Sequence, residues 1–256
     1  MSGRTAAASL PGDLEAGLKR LKLSTIRRQA ADVLLTAKTQ RWTPEETLRV
    51  LIDMEITSRN ESNTRTRMTA ARFPINKTLD EFNLTESSIP TASHDYLITL
   101  DWIGRADNVC LVGPAGTGKT HHLIALGRAA VEHGHKVRYF TAVELVEHLY
   151  RAVADNTVGR AIEQVCRNDL IIIDEIGFAP LDHTGCQLMF RLIAAAYERR
   201  SVAIASHSPF ENWGRFLPDQ PTAVSLLDRL CHHAHIITTT GDSYRLRHRT
   251  TGRQEA

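Results

Sequence analysis

The run Gly113-Pro-Ala-Gly-Thr-Gly-Lys-Thr120 combines residue types and spacing that suit phosphate chemistry. It fills the G-x-x-x-x-G-K-S/T pattern in full. It also follows an apolar run and opens a helical one, the context the pattern requires. Gly113, Gly116 and Gly118 let a backbone wrap closely around a phosphate, with Pro114, Ala115 and Thr117 completing the loop. The loop N–H groups and the helix N-terminus present partial positive charge to that phosphate. Lys119 is expected to reach β- and γ-phosphates, and the Thr120 hydroxyl to coordinate Mg²⁺.

A second element is Leu170-Ile-Ile-Ile-Asp174-Glu175. An apolar strand that ends in Asp places a carboxylate at the C-terminal edge of a parallel sheet, beside the phosphate loop. Asp174 is expected to hold the metal, and Glu175 to orient and polarise a water. An acidic pair here favours hydrolysis over transfer to a bound acceptor. Val202–Ala205 leads to Ser206-His207, a strand expected between the two motif strands. Ser206 and His207 are candidates for sensing the γ-phosphate or the water; the plainer reading is strand-end capping. Arg229, in the amphipathic Leu226-Leu-Asp-Arg-Leu230, suits an arginine that completes a neighbouring subunit's site. The alternative is a local pair with Asp228 or Asp182. Cys231-His-His-Ala-His235 fits no standard zinc spacing and is not read as a metal site. His121 and His122 are placed in the first helix turn with no chemistry assigned.

These side chains need a scaffold. Val109–Val112, Val137–Phe140, Leu170–Ile173, Val202–Ala205 and Ile236–Thr240 are short apolar runs. Helical stretches at about 119–133, 142–154, 158–167, 183–200 and 222–234 separate most of them. That alternation predicts one α/β domain with a five-stranded parallel sheet covered on both faces. Ahead of it, residues 1–12 read as a frayed tail, and Leu14, Leu18 and Leu21 begin a helical period. Ser24 or Thr25 is a candidate cap for a helix to about Gln40, with Ile26, Ala30, Val33, Leu34 and Ala37 on one face. Thr43-Pro-Glu-Glu46 is a capping box with Pro at the first helical position. The helix it opens carries Leu48, Leu51, Ile52, Glu55 and Ile56, turns polar at 58–66, and is followed by a short helix ending near Phe73-Pro74. The expected division is therefore a helical domain at 1–72, an ATPase domain at 73–250 entered through a mixed connector at 73–107, and a tail at 251–256.

With 42 % apolar and 23 % charged residues among 256, the composition is that of a globular chain and excludes disorder. No apolar run is long enough to span a bilayer, and the N-terminus lacks the apolar segment of a signal peptide. The four cysteines, Cys110, Cys166, Cys186 and Cys231, form no C-x-x-C pair. Free thiols in a reducing cytoplasm, with no membrane partner, are the expectation. Residues 1–75 carry 13 Lys/Arg and 8 Asp/Glu, whereas residues 76–256 carry 18 and 21. A basic front on a mildly acidic body hints at an anionic partner such as nucleic acid; ordinary surface scatter is the bland alternative.

The runs GPAGTGKTHHLIALG, DLIIIDEIGFAPLD, SPFENWGRF and LLDRLCHHAHIITTTGDSYRLR resemble the IstB family, helper ATPases of insertion-sequence transposition, over about residues 14–250. The resemblance implies an AAA+ P-loop NTPase fold, a three-layer sandwich close to DnaC-type helicase loaders, here without a C-terminal lid. It implies sequence-nonspecific, ATP-dependent binding of duplex DNA, a homo-oligomer with ATP at subunit interfaces, and recruitment of an IstA-like transposase that stimulates hydrolysis. Carried over, Lys119 and Thr120 serve phosphate and Mg²⁺, Asp174 and Glu175 metal and water, and Arg229 is the arginine finger in trans. Two departures matter. Ala205-Ser206-His207 replaces the family's usual Thr-Ser-Asn, so hydrolysis is expected to be slow or pH-sensitive, and Asn at 207 should raise it. Only 27 residues follow Arg229, too few for a lid carrying a second sensor Arg. Arg151, Arg160 and Arg167 are candidate DNA phosphate contacts. A helicase loader is the nearest alternative; a small-molecule phosphotransferase and a barely hydrolysing ATP-binding scaffold are others.

Overall fold

The computed structural model describes residues 9–244. Residues 1–8 of the expected N-terminal tail, the Arg245-Leu-Arg247 end of the family signature and the 251–256 tail lie outside the described residues. The chain divides into two compact units, with the boundary between Thr66 and Arg67.

The first unit is helical. It holds α1 (Gly12–Arg20), α2 (Ser24–Gln40) and most of α3 (Pro44–Ala71). The Thr43 box forms as the sequence predicts: Glu46 N–H donates to Thr43 Oγ1 (3.2 Å) and Thr43 N–H to Glu46 Oε2 (2.7 Å). No break separates the apolar and polar parts of α3, so the expected extra helix before Phe73 is its last turns. The polar stretch Ser58–Thr66 lowers burial, not helicity.

Neither Ser24 nor Thr25 caps α2 with its side chain. The carboxylate of Glu55, from α3, does so instead. Glu55 Oε2 accepts from Thr25 N–H (2.8 Å) and Ile26 N–H (3.0 Å), while Arg59 Nε donates to Oε1 (2.9 Å). Burial pushes the Glu55 pKa up, but these donors together outweigh it and hold the carboxyl below its ordinary value. Of the apolar face expected for α2, Ala30, Val33 and Ala37 are buried and Leu34 is exposed; on α3, Leu48, Ile52 and Ile56 are exposed too.

The second unit is an α/β layer structure. After α3 come a 3₁₀ turn at Leu84–Glu86, α4 (Thr91–Ile98) and the single turn α5 (Asp101–Gly104). Then follow β1 (Asn108–Val112), α6 (Lys119–Glu132), β2 (Val137–Thr141), α7 (Ala142–Ala154), α8 (Val158–Val165), β3 (Leu170–Ile176), α9 (His183–Ala196), β4 (Ser201–Ser206), a 3₁₀ turn at Phe210–Arg215, α10 (Gln220–Cys231) and β5 (Ala234–Thr238). The strands are all parallel, in the order β2-β3-β4-β1-β5. β4 therefore lies between the strands that carry the two motifs, as expected.

Alternate residues of each central strand feed opposite cores. Cys110, Val112, Ile171, Ile173, Val202 and Ile204 pack with Leu145 and Leu149 of α7, Leu192 of α9 and Leu226 and Leu230 of α10. Val109, Leu111, Leu170, Ile172, Ala203 and Ala205 pack with Leu123 and Ile124 of α6 and with Leu97, Trp102 and Ile103. Each large apolar side chain so buried contributes about 1.5–3 kcal/mol. Apolar residues on both faces explain why these strands read as continuous runs. Two ends differ from expectation. Asp219 caps α10 through Thr222 N–H, with Pro221 in the first turn, so α10 starts and stops earlier than 222–234. β5 begins correspondingly earlier, at Ala234.

Candidate functional site

The loop 113–120 runs from the end of β1 into α6. Gly113 adopts φ 149° and packs so tightly on Thr239 that a Cβ would strike its carbonyl. Gly118, at φ 88°, is the N-cap of α6, and a Cβ there would press on the Phe82 ring. Those two positions explain glycine by conformation and by space at once. Thr117 Oγ1 donates to the Pro114 carbonyl (2.9 Å) and pairs with Thr239 Oγ1 (2.8 Å), which fixes the loop to the end of β5. Lys119 is buried, and its ammonium donates to the carbonyls of Gly113 (2.7 Å) and Pro114 (2.5 Å). The same ammonium is thus held at the loop's centre, where an incoming phosphate oxygen would exchange for a carbonyl.

Between Ile173 and Ile176, β3 spends three residue steps where β4 spends two, from Ile204 to Ser206. This bulge holds Asp174 and Glu175. Glu175 sits at φ 58°, a left-handed conformation costly for a residue with a Cβ. Its side chain is exposed to the cleft, while Asp174 beside it is buried. Asp174 is anchored by Tyr139 Oη–H donating to Oδ2 (2.9 Å) and Glu175 N–H donating to Oδ1 (2.8 Å). Burial, reinforced by Asp174, pushes the Tyr139 pKa up, so Tyr139 keeps its proton and remains a donor.

Lys119, Thr120, Asp174, Glu175, Ser206 and His207 all line one open cleft of about 930 Å³. Ser206 is committed locally: its hydroxyl bridges the carbonyls of Ile176 (3.2 Å) and Ser208 (2.8 Å). That is the strand-end role. His207 packs on Phe178 with ring centroids 4.9 Å apart, and its Nδ1 is buried with no hydrogen-bond partner among the described residues. Arg229 is not among the cleft-lining residues. It pairs with neither Asp228 nor Asp182; its guanidinium donates to the Ser225 carbonyl (3.0 Å) and lies over Phe190.

The three arginines proposed for DNA have different surroundings. Arg151 lies near Glu147 (3.6 Å) on α7 and Arg160 is exposed on α8. Arg167 instead shares a groove with Arg191, Arg199 and Arg200.

Sequence reasoning missed one wall of the cleft. Ile75, Lys77, Phe82, Asn83, Ser87 and Ser88 of the connector line it, as do Asp242, Ser243 and Tyr244. The connector is fastened by an aromatic stack: Phe82 lies over His122 (4.9 Å) and edge-on to His121 (5.2 Å). His122 is fully buried, with Nε2 3.1 Å from His94 Nδ1. Burial first, then His94 and His121, push its pKa down to about 3. The only sequence signal for this stack was two histidines following a phosphate loop.

Sheet order, loop and acidic strand end together define an α/β P-loop NTPase of the AAA+ type. The family model for IstB-like ATP binding proteins matches residues 16–252, and the chain belongs to that family of insertion-sequence ATP-binding proteins. It is 34 % identical over 236 residues to the ATP-binding protein of insertion sequence IS21 from Pseudomonas aeruginosa, covering 92 % of this chain and 89 % of that one. It is 32 % identical over 229 residues to the counterpart in IS5376 of Geobacillus stearothermophilus, covering 89 % and 91 %. Among solved structures, DnaI superposes with a TM-score of 0.54 at 14 % identity, over 64 % of this chain and 92 % of that one. AMPPCP-bound DnaA from Aquifex aeolicus gives 0.53 at 18 %, over 70 % and 55 %. At such identities the likeness is one of fold. No helix among the described residues is long and apolar enough to cross a membrane.

Proposed function

We propose that this protein hydrolyses ATP with Mg²⁺, assembles into oligomers on duplex DNA with ATP at subunit interfaces, and recruits an IstA-like transposase to the target. The observation that carries the hydrolytic part is the bulge in β3, which buries Asp174 and turns Glu175 into the cleft that Lys119 and Thr120 also line. The Thr120 hydroxyl and the Asp174 carboxylate are hard oxygen donors, the set that suits Mg²⁺. That ion, when bound, offsets charge on the phosphate oxygens. The loop N–H groups and Lys119 bind and orient the triphosphate. Glu175 accepts a proton from the attacking water and aims it. His207 faces the same space and is the group to position that water or the γ-phosphate. Arg229 supplies positive charge to a neighbour's site, since it does not line its own.

For DNA, the groove between α8 and α9 is the better surface than the three arginines first considered. Arg167, Arg191, Arg199 and Arg200 line it against one carboxylate, Glu163, and none of the four arginines forms an ion pair among the described residues. Such a surface tracks phosphates without reading bases. The test is duplex-DNA binding with ATP, ADP or no nucleotide at two salt concentrations, with Glu175→Gln and Arg167→Glu/Arg191→Glu alongside. ATP-dependent, salt-sensitive binding that persists longer in Glu175→Gln and weakens in the arginine double variant supports the reading. Binding indifferent to ATP overturns it and moves a helicase-loader role ahead, which a pull-down against a replicative helicase then checks.

A further inference from the structure

The end of α10 carries a cluster that the ATP site does not use. His232 and His233 close that helix, and Glu198 lies in the turn between α9 and β4. One ligand atom from each of the three lies within 4.8 Å of the others. His233 Nε2 is 3.4 Å from Glu198 Oε1. A tetrahedral ion about 2.1 Å from its ligands sets them about 3.4 Å apart, so that pair already stands at coordination spacing.

Two further features hold the cluster in shape. The Tyr197 hydroxyl lies 2.7 Å from His232 Nδ1. With Nδ1–H donating to that oxygen, Nε2 carries the lone pair, the outer-shell arrangement that orients metal-binding imidazoles. Glu198 itself adopts φ 54°, left-handed backbone in a non-glycine residue, two residues past the end of α9. The backbone of His233 is fixed as well, because its carbonyl accepts Asn108 N–H (2.7 Å). All three side chains are exposed, so entry is unobstructed and the remaining positions on an ion there would be open to water.

We propose that Glu198, His232 and His233 form a binding site for a borderline divalent transition-metal ion of the Zn²⁺ class, separate from the ATP cleft. Two imidazoles and one carboxylate select such ions over Mg²⁺, which prefers all-oxygen sets. The bound ion ties the end of α9 to the end of α10. Arg229 lies one helical turn before His233, so the ion also steadies the helix that presents it. That consequence rests on the role proposed for Arg229; metal binding does not.

The experiment is equilibrium dialysis of Zn²⁺ against untagged, chelator-stripped full-length protein without nucleotide, with metal counted by mass spectrometry. Variants are Glu198→Gln, His232→Ala and His233→Ala, with His133→Ala as a control at an exposed histidine elsewhere. Expected are one equivalent of zinc in the wild type and the control, and at least a ten-fold loss of affinity in each of the three variants. Because the three side chains are exposed, circular dichroism should show all variants folded. Failure of the wild type to bind zinc, or binding equal in all variants, overturns the site. Phosphate-loop variants such as Lys119→Ala should bind zinc normally, so failure of the ATPase reading and failure of the metal site are separable.

Discussion

His122 shows what a single buried side chain does to the pH dependence of the whole unit. In the unfolded chain its pKa is ordinary, about 6.5; in the folded chain burial lowers it to about 3. The unfolded state therefore binds the extra proton between those values, and stability rises with pH across that window. The contribution is complete above about pH 6.5 and is lost as pH falls toward 3, at up to about 1.4 kcal/mol per unit. Denaturant midpoints at pH 7 and pH 5 should show a smaller drop for His122→Leu than for wild type, even if the variant is less stable at both. Glu175 makes the complementary case, in which strain falls on the residue proposed to activate water. Its left-handed backbone costs about 1–2 kcal/mol, which glycine would relieve, less the extra entropy glycine loses on folding. Glu175→Gly should be at least as stable as wild type by thermal melt while its ATP turnover falls by about 10² or more. A variant that is both destabilised and active would remove Glu175 from the mechanism.

At the scale of elements, what could be read from sequence depended on whether the cause was local. The strands were legible because Val109–Val112 or Leu170–Ile173 are apolar on both faces, and the Thr43 box was legible because its partners are three residues apart. The phosphate loop was legible for the same reason, and Asp174 and Glu175, read from one apolar strand end, line the same cleft as that loop. The bulge was not, since an extra residue in β3 exists only relative to β4. Phe82 carries no signature, because its value lies in meeting Gly118 and His122 across the fold. Helical spacing does not by itself mean burial: Leu48, Ile52 and Ile56 keep it on α3 yet stay exposed. The cap of α2 belongs to this non-local class. Ser24 and Thr25 are ordinary cap residues, but Glu55, thirty positions away, takes the amides. Removing it in Glu55→Ala should cost about 1–2 kcal/mol and speed amide exchange in peptides spanning residues 24–40 by about ten-fold. The Glu55 pKa is lowered, so its contribution is present above the unfolded value of 4.5 and lost as pH falls through the folded one. The gap between variant and wild type should close below that pH, whereas a gap independent of pH would mean packing rather than capping.

For the whole molecule, the decisive question is whether one chain carries a complete hydrolytic site. The cleft contains Lys119, Thr120, Asp174, Glu175 and His207, yet no arginine lines it among the described residues. Phosphoryl-transfer sites of this kind gain about 10³–10⁵ in rate from an arginine that meets the developing charge. Arg229 is half-buried, its guanidinium donates to the Ser225 carbonyl and lies over the face of Phe190, and it forms no ion pair among the described residues. On the proposed reading, this cation on a helix outside its own cleft acts on another molecule. That argument predicts complementation. Arg229→Ala has an intact nucleotide site but offers no arginine; Lys119→Ala offers the arginine but cannot bind phosphate. Each alone should be nearly inactive in ATP turnover. Mixed at equal concentration under conditions that favour assembly, they should regain activity at the junctions where a Lys119→Ala chain presents Arg229 to an Arg229→Ala chain. With random assembly these are about a quarter of junctions, so turnover should approach a quarter of wild type. The recovered rate should rise with protein concentration. If the mixture stays at the sum of its parts, while sedimentation shows that the two variants co-assemble, then Arg229 does not act in trans and the charge must come from elsewhere.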